Sequence, residues 1–250
     1  MSARILFGFH AVTVRLKLAP ESVLEIHLDA QRRDARMRQF AERAREAGAK
    51  LIDSSDAQLT QLAGGTRHQG VVARVNALPA RHSLDDVLDA VQGPPLVLAL
   101  DGVTDPHNLG ACLRVADGAG AHAVIAPKDH AVGLNATVAK VASGAAETMP
   151  YLMVTNLALT LGELKERDIR VIGLAEEAES TIYEIDLRGP VALVLGAEGP
   201  GLRALTKKTC DELVRIPMAG AVESLNVSVA AGVCLFEAMR QRSAGDKRPT

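Results

Sequence analysis

The sequence predicts an α/β protein built as two units in series, and three observations predict it. From Leu96 onward, short and wholly apolar runs alternate with helical stretches, the pattern of strands buried on both faces of a mainly parallel sheet with helices over it. The first 77 residues show a shorter alternation of strand and helix signals. Between the two, NALPARHSLDDVLDAVQGPP holds three prolines and no strand pattern, so a boundary belongs there. The expected organisation is a first domain over 1–77, a linker over 78–95, a main domain over 96–243 and a flexible tail over 244–250.

Taken in order, Gly8 to Leu18 reads as a helix ended by Ala19-Pro20, and Val23 to Leu28 as a short strand. Asp34 to Ala47 is a strongly charged helix closed by Gly48, where a left-handed residue is wanted. Lys50 to Asp53 is a strand, and Ser54 or Ser55 caps a helix through Leu62. Gly64-Gly65 break that helix, and Val71 to Val75 is the last strand of the unit. The linker carries one short helix, from Ser83 to Val91. In the main domain the strands are 96–101, 123–127, 151–155, 171–175, 191–196 and 213–217. The helices are about 109–117, 135–142, a stretch capped by Asn156 and running to Arg167, 201–209 and 226–240.

A chain of 250 residues that is 48% hydrophobic and 23% charged can bury a sizeable core. Aromatics make up only 2%, with no Trp, which disfavours recognition of bases by aromatic stacking. Cys112, Cys210 and Cys234 lie far apart, without a CxxC or a histidine at ligand spacing. A disulfide framework and a structural zinc site are disfavoured, and each cysteine reads as a small core residue. No leader-like apolar segment and no run of about 18 apolar residues occurs, so a reducing cytoplasm is expected. Residues 1–77 hold 12 Lys/Arg against 8 Asp/Glu, and residues 78–250 hold 16 against 22. A basic first unit beside an acidic main domain suits an enzyme acting on nucleic acid whose grip comes from an appended domain.

Ligands of open α/β sheets bind at strand-end loops, and three such loops carry polar residues that packing does not require. The first is Asp105-Pro-His-Asn108-Leu-Gly110, leading into a helix that bears Arg114. Asn108 is able to cap that helix, and Arg114, flanked by Ala111, Cys112, Leu113 and Val115, reads as an arginine seeking an anion. The second is Gly196-Ala-Glu198-Gly-Pro-Gly201. Its GxxGxG spacing is neither the dinucleotide fingerprint nor a phosphate loop; the glycines instead let backbone approach a flat ligand. Glu198 is the one charge in the turn, free to pair with Arg114 or Arg203 or to remain solvated. The third is Ile216 to Ser228, where small residues at 219–221 leave room and Ser224 and Asn226 precede an apolar helix that Asn226 is able to cap.

In this order and within one domain, DPHNLGACLR, GAEGPGL and IPMAGAVESLNVSVA resemble the three motifs of the SpoU/TrmH (SPOUT) RNA ribose 2'-O-methyltransferases. The resemblance implies a deep trefoil knot near the C-terminus, a homodimer, and S-adenosylmethionine consumed as methyl donor without a metal. It gives Arg114 the catalytic role, has Asn108 help place the ribose or its phosphate, puts Ser224 and Asn226 near the methyl group or the ribose, and places Glu198 at the active site. It has Gly196, Ile216 and Leu225 hold the cofactor through backbone groups, with Leu174 and Met218 nearby. The first unit resembles the RNA-binding domain of ribosomal-protein L30e/L7Ae type found in several members. Its candidate contacts are Arg33 and Arg36, at the start of the arginine-rich helix, and Arg67 and His68, in the loop RHQG. That domain tilts the substrate toward a guanosine of large-subunit (23S) ribosomal RNA; transfer RNA, a non-catalytic RNA-binding role and a nicotinamide-dependent oxidoreductase are the rival readings.

Overall fold

The structure is a computed structural model describing residues 3–76, 83–197 and 199–244, and the chain divides into units spanning Met1–Ala80 and Arg81–Thr250. In the first unit, strands β1 (Ala3–Phe7), β2 (Val23–Asp29), β3 (Leu51–Ser54) and β4 (Val71–Asn76) form a sheet in the order β1-β4-β2-β3. Helices α1 (Phe9–Leu18), α2 (Ala35–Glu46) and α3 (Asp56–Ala63) connect them. The core is β1, β2 and β4 against α1 and α2, with Val12, Ile26, Ala44, Val71 and Val75 fully buried. Local chemistry sets the helix limits as expected. Asp34 caps α2 through the Met37 N–H, Gly48 is left-handed at φ 76°, and Ser55 with Gln58 forms a capping box on α3. Strand β1 was not expected. Its five residues precede any turn signal, and only antiparallel pairing with β4, from Ala3↔Asn76 to Phe7↔Val72, defines it.

The second unit contains α4 (Leu84–Asp89), β5 (Leu96–Asp101), α5 (Pro106–Gly118), β6 (Ala123–Pro127), α6 (Ala136–Ala142), α7 (Ala145–Thr148) and β7 (Tyr151–Val154). It continues with α8 (Leu157–Glu166), β8 (Arg170–Leu174), β9 (Val191–Gly196), α9 (Ala204–Thr209), β10 (Glu212–Val214) and α10 (Val227–Ala244). Its six strands form one sheet, β10-β8-β9-β5-β6-β7, in which every pairing is parallel. Strand β5 is buried at all six positions, which is why it reads as a continuous apolar run rather than an alternating one. Leu98 and Leu100 face a core shared with α5 and α10, while Val97 and Ala99 face one shared with α4 and α8.

Several boundaries differ from expectation, each for a local reason. The stretch 84–89 is no linker: Val87 and Leu88 are buried in the core with Val97, Leu157 and Leu161, and Arg167 pairs with Asp85 and Asp89. The short α7 follows α6 after left-handed Ser143 and Gly144 break the helix. Helix α9 starts at Ala204 because the preceding residues complete the glycine turn, and β10 stops at Val214. The part of the expected linker at 78–82 and the tail at 245–250 lie outside the described residues.

Candidate active site

Strand β5 leads outward through β6 to β7, and the chain then returns to build β8, β9 and β10 on the other side. The crevice where such an order reverses is where open parallel sheets bind ligands. A cleft of about 420 Å³ lies to one side of that point, at the carboxyl ends of β8, β9 and β10, within the usual size range for small-molecule sites. Leu174, Gly196, Ile216, Met218 and Leu225, the five positions expected at a cofactor, all line it. Ser224 lines it as well. Its rim is charged, with Glu177 paired to Lys207 and with Glu176, Glu223 and Arg215 also on its walls.

The glycine turn between β9 and α9 forms one wall, and the need for glycine at 196 is steric. A Cβ there would sit 2.0 Å from the Gly201 carbonyl carbon and 2.3 Å from the Leu202 nitrogen. The turn is closed by the Gly201 N–H donating to the Ala197 carbonyl at 3.0 Å, with Gly199 and Gly201 at φ 84° and 66°. Glu198, the charge expected to act here, lies outside the described residues.

Asp101, which sequence reasoning did not single out, anchors this turn. Its side chain is fully buried at the end of β5 and accepts from the Arg203 backbone N–H at 2.9 Å and from the Arg203 Nε at 2.5 Å. Arg203 is therefore engaged by Asp101, one of the alternatives once open for Glu198. The available signal was a single carboxylate ending an otherwise apolar run, LVLALD, since buried carboxylates need partners. Asp101→Ala is expected to destabilise the protein by roughly 2–3 kcal/mol, less than the ~3–5 of a fully buried pair. The reduction reflects the Arg203 side chain, which is half exposed and screened by water. Urea unfolding measures this, and an unchanged midpoint would show that the turn is held by other means.

The first motif behaves differently from its sequence reading. Asp105, not Asn108, caps α5: its Oδ1 accepts from the backbone N–H groups of His107 at 2.6 Å and Asn108 at 3.1 Å, with Pro106 in the first turn. Freed from capping, the Asn108 side chain accepts at Oδ1 a hydrogen bond from the Asn226 Nδ2 at 2.9 Å. Asn226 is the cap foreseen for the last helix, its Oδ1 accepting from the Ser228 N–H at 2.9 Å and the Ser228 hydroxyl at 2.6 Å. One amide pair thus joins motifs 118 residues apart, next to the loop that walls the cleft.

Gly110 serves packing: a Cβ would meet Val141 Cβ at 2.7 Å and the Val138 carbonyl at 2.9 Å, so α5 and α6 approach closely only without one. Arg114 does not keep the apolar company its neighbours suggested. Cys112, Leu113 and Ala116 fill the buried face of α5, and Arg114 stands exposed on the other side, making no hydrogen bond or ion pair among the described residues. Adjacent helical residues point about 100° apart, which is why sequence neighbours misled. Arg114 is not part of the cleft wall. Cys112 and Cys234 are core residues and half-buried Cys210 packs against the core, with burial pushing the thiols of Cys112 and Cys234 up to about 12 and that of Cys210 to about 11. Among the described residues no cluster of His, Cys, Asp and Glu could hold a metal, and no helix is long and apolar enough to cross a membrane.

In the first unit, Arg33, Arg36 and Arg67 are exposed, but His68 is not a surface residue. It is 2% exposed, its Nδ1 accepts from the Gly70 N–H at 3.1 Å, and its Nε2 faces the Thr60 hydroxyl at 3.1 Å. Both ring nitrogens are occupied in holding the turn, so the expectation that His68 touches RNA is corrected to a supporting role.

Two family models match the chain: "SpoU rRNA Methylase family" over residues 95–236 and "RNA 2'-O ribose methyltransferase substrate binding" over residues 5–80. The 23S rRNA (guanosine-2'-O-)-methyltransferase RlmB of Ralstonia nicotianae is 63% identical, the match covering 96% of this chain and 97% of the relative. The protein of the same name from Bordetella pertussis is 58% identical, over 96% and 98% of the two chains. Among solved structures, the SpoU methyltransferase AviRb of Streptomyces viridochromogenes, in complex with the cofactor AdoMet, matches with a TM-score of 0.72. It shares 26% identity, over 97% of this chain and 92% of that one.

Proposed function

The chain belongs to the SpoU rRNA methylase family, and from that premise we propose that it methylates a ribose 2'-oxygen of RNA, at a guanosine of 23S ribosomal RNA. The observation that carries this reading is the cleft at the carboxyl ends of β8, β9 and β10, walled by all five expected cofactor positions, beside the Asn108–Asn226 pair. The residues fit S-adenosylmethionine: Gly196 presents backbone where any side chain would collide, and Leu174, Ile216, Met218 and Leu225 supply flat apolar walls. When bound, the cofactor supplies a methyl group on an already electrophilic sulfonium.

What remains for the protein is position and charge. The Asn108–Asn226 pair and Ser224 orient the ribose, and alignment of this kind is worth an effective molarity on the order of 10⁵ M or more. Arg114 clamps the phosphate beside the reacting ribose with its planar fork and polarises the 2'-hydroxyl. It does not take the proton, because a guanidinium stays protonated at any working pH; the 2'-hydroxyl proton passes to water as the oxygen–methyl bond forms and the methyl–sulfur bond breaks. Glu198 belongs to the same proposal as an acidic residue of the active site.

The working form we propose is a cytoplasmic homodimer. Val229 and Phe236 of α10 are 51% and 43% exposed, and half-buried Val115 of α5 and Val233 of α10 flank them; a second copy would cover such a face. A partner there would also sit against α5, the helix that bears Arg114. The trefoil knot goes with this reading, supported by membership of the family. Transfer of labelled methyl from S-adenosylmethionine to an unmodified 23S rRNA transcript tests the activity, and cofactor binding without transfer to any RNA would overturn it. Sedimentation of the full chain tests the dimer; a monomer at micromolar concentration would remove it.

A further inference from the structure

The geometry points to one end of the N-terminal unit as the place where an unpaired RNA base is read, with Gln69 as the reading side chain and Arg33, Arg36 and Arg67 as phosphate contacts around it. The inference rests on the RNA-substrate reading above and concerns how that RNA is chosen.

The arginine helix and the RHQG loop, far apart in sequence, meet at this end. The Asp29 N–H donates to the Gly70 carbonyl at 2.9 Å, and a Cβ on Gly70 would lie 3.2 Å from Asp29 Cβ and 3.3 Å from Arg32 Cδ. Arg32 is the fastener. Its Nη1 donates to the Gln69 carbonyl at 2.6 Å, its Nε pairs with Asp34, and its guanidinium carbon sits 5.0 Å from the Phe9 ring centroid. The Arg36 guanidinium is held 4.4 Å from the same centroid. Arg32 is thus spent on scaffolding. Arg33, Arg36 and Arg67 are exposed and pair with no carboxylate among the described residues.

Gln69 itself is exposed with φ at 54°, a left-handed conformation that a residue with a long side chain adopts only when its surroundings enforce it. Both neighbours do so: Arg32 grips its carbonyl, and buried His68 grips the next N–H. The side-chain amide makes no hydrogen bond among the described residues. A donor and an acceptor side by side on a rigid turn, with Arg67 two residues before it and Arg36 over the Phe9 ring that Arg32 also covers, match the edge of a base. A phosphate would need only the arginines. An unpaired base fits best, since the major groove of an RNA duplex is too deep and narrow for a side chain to read and its minor groove is recognised mostly by shape and 2'-hydroxyls.

Footprinting of the full chain on an unmodified 23S rRNA transcript tests this, with 16S rRNA as competitor and base-specific and backbone probes read in parallel. Gln69→Gly, which relieves the backbone and removes the amide, should lose protection of one unpaired base. Its preference for 23S over 16S RNA should fall about 5- to 100-fold, with an unchanged salt slope. Gln69→Asn, which tolerates the left-handed turn and keeps an amide, should restore part of that preference. Arg67→Ala should instead weaken binding to both RNAs alike and flatten the salt slope by about 0.7–0.9. Wild-type protections and preference in Gln69→Gly would overturn the inference. A wild-type chain that fails to methylate the 23S transcript would strike at the proposed function instead.

Discussion

Arg114→Ala is expected to reduce methyl transfer by about 10²–10³-fold or more while leaving affinity for S-adenosylmethionine within a few-fold of wild type. The separation follows from where the side chain stands. Arg114 is exposed on α5, takes no part in the cleft wall and makes no hydrogen bond or ion pair among the described residues. Its removal therefore costs the fold little, within the ~0.5 kcal/mol typical of surface substitutions. In the proposed role, what it removes is the positive charge at the phosphate beside the reacting ribose. Arg114→Lys keeps a positive charge but loses the planar fork, so only a small part of the rate should return. Single-turnover transfer to an unmodified 23S rRNA transcript, with calorimetric titration of the cofactor on the same samples, reads both quantities. A loss of cofactor binding as large as the loss of rate would remove Arg114 from the phosphate and place it at the cofactor.

Most of the architecture was legible in the sequence because parallel strands buried on both faces leave an unmistakable mark. LVLAL, AVIAP and VALVLG are uninterrupted apolar runs, and they lie in β5, β6 and β9. Helix ends were legible where one residue caps locally, as at Asp34, Ser55 and Asn156. The cleft wall was legible only through its motifs, because much of it is backbone and small residues whose pattern carries no chemistry of its own.

Three things were hidden, and each depends on contacts distant in sequence. Strand β1 exists through pairing with β4, about 70 residues away. The partner of Arg203 is Asp101, 102 residues earlier. Asn108 looked like a cap because three residues before it Asp105 had been overlooked as the better one, with proline next to it. His68 misled in the opposite way. A polar residue in a glycine-containing loop reads as exposed, yet its ring is the buried floor of the turn.

Gly196→Ala should abolish measurable cofactor binding, an effect about 10²-fold or more in affinity, and lower the unfolding temperature by several degrees, as overpacking by about 1–3 kcal/mol would. The added methyl would lie 2.0 Å from the Gly201 carbonyl carbon and 2.3 Å from both the Gly201 oxygen and the Leu202 nitrogen. All three are backbone atoms, which no side-chain rotation can move away. The turn cannot swing outward as a unit either, because Arg203 just beyond it is tied by backbone and side chain to buried Asp101. The strain must therefore open the turn itself, and that turn is one wall of the cleft. Gly199→Ala makes the informative comparison. Position 199 lies on the same turn at φ 84°, but a Cβ there meets nothing within 4 Å, so the cost is conformational alone, about 1 kcal/mol. Equilibrium binding of S-adenosylmethionine to both variants should then show a severe loss at 196 and a loss under about tenfold at 199. Equal affinities would mean that the glycines serve only turn flexibility, and the close backbone approach at Gly196 would cease to explain how this cleft holds its cofactor.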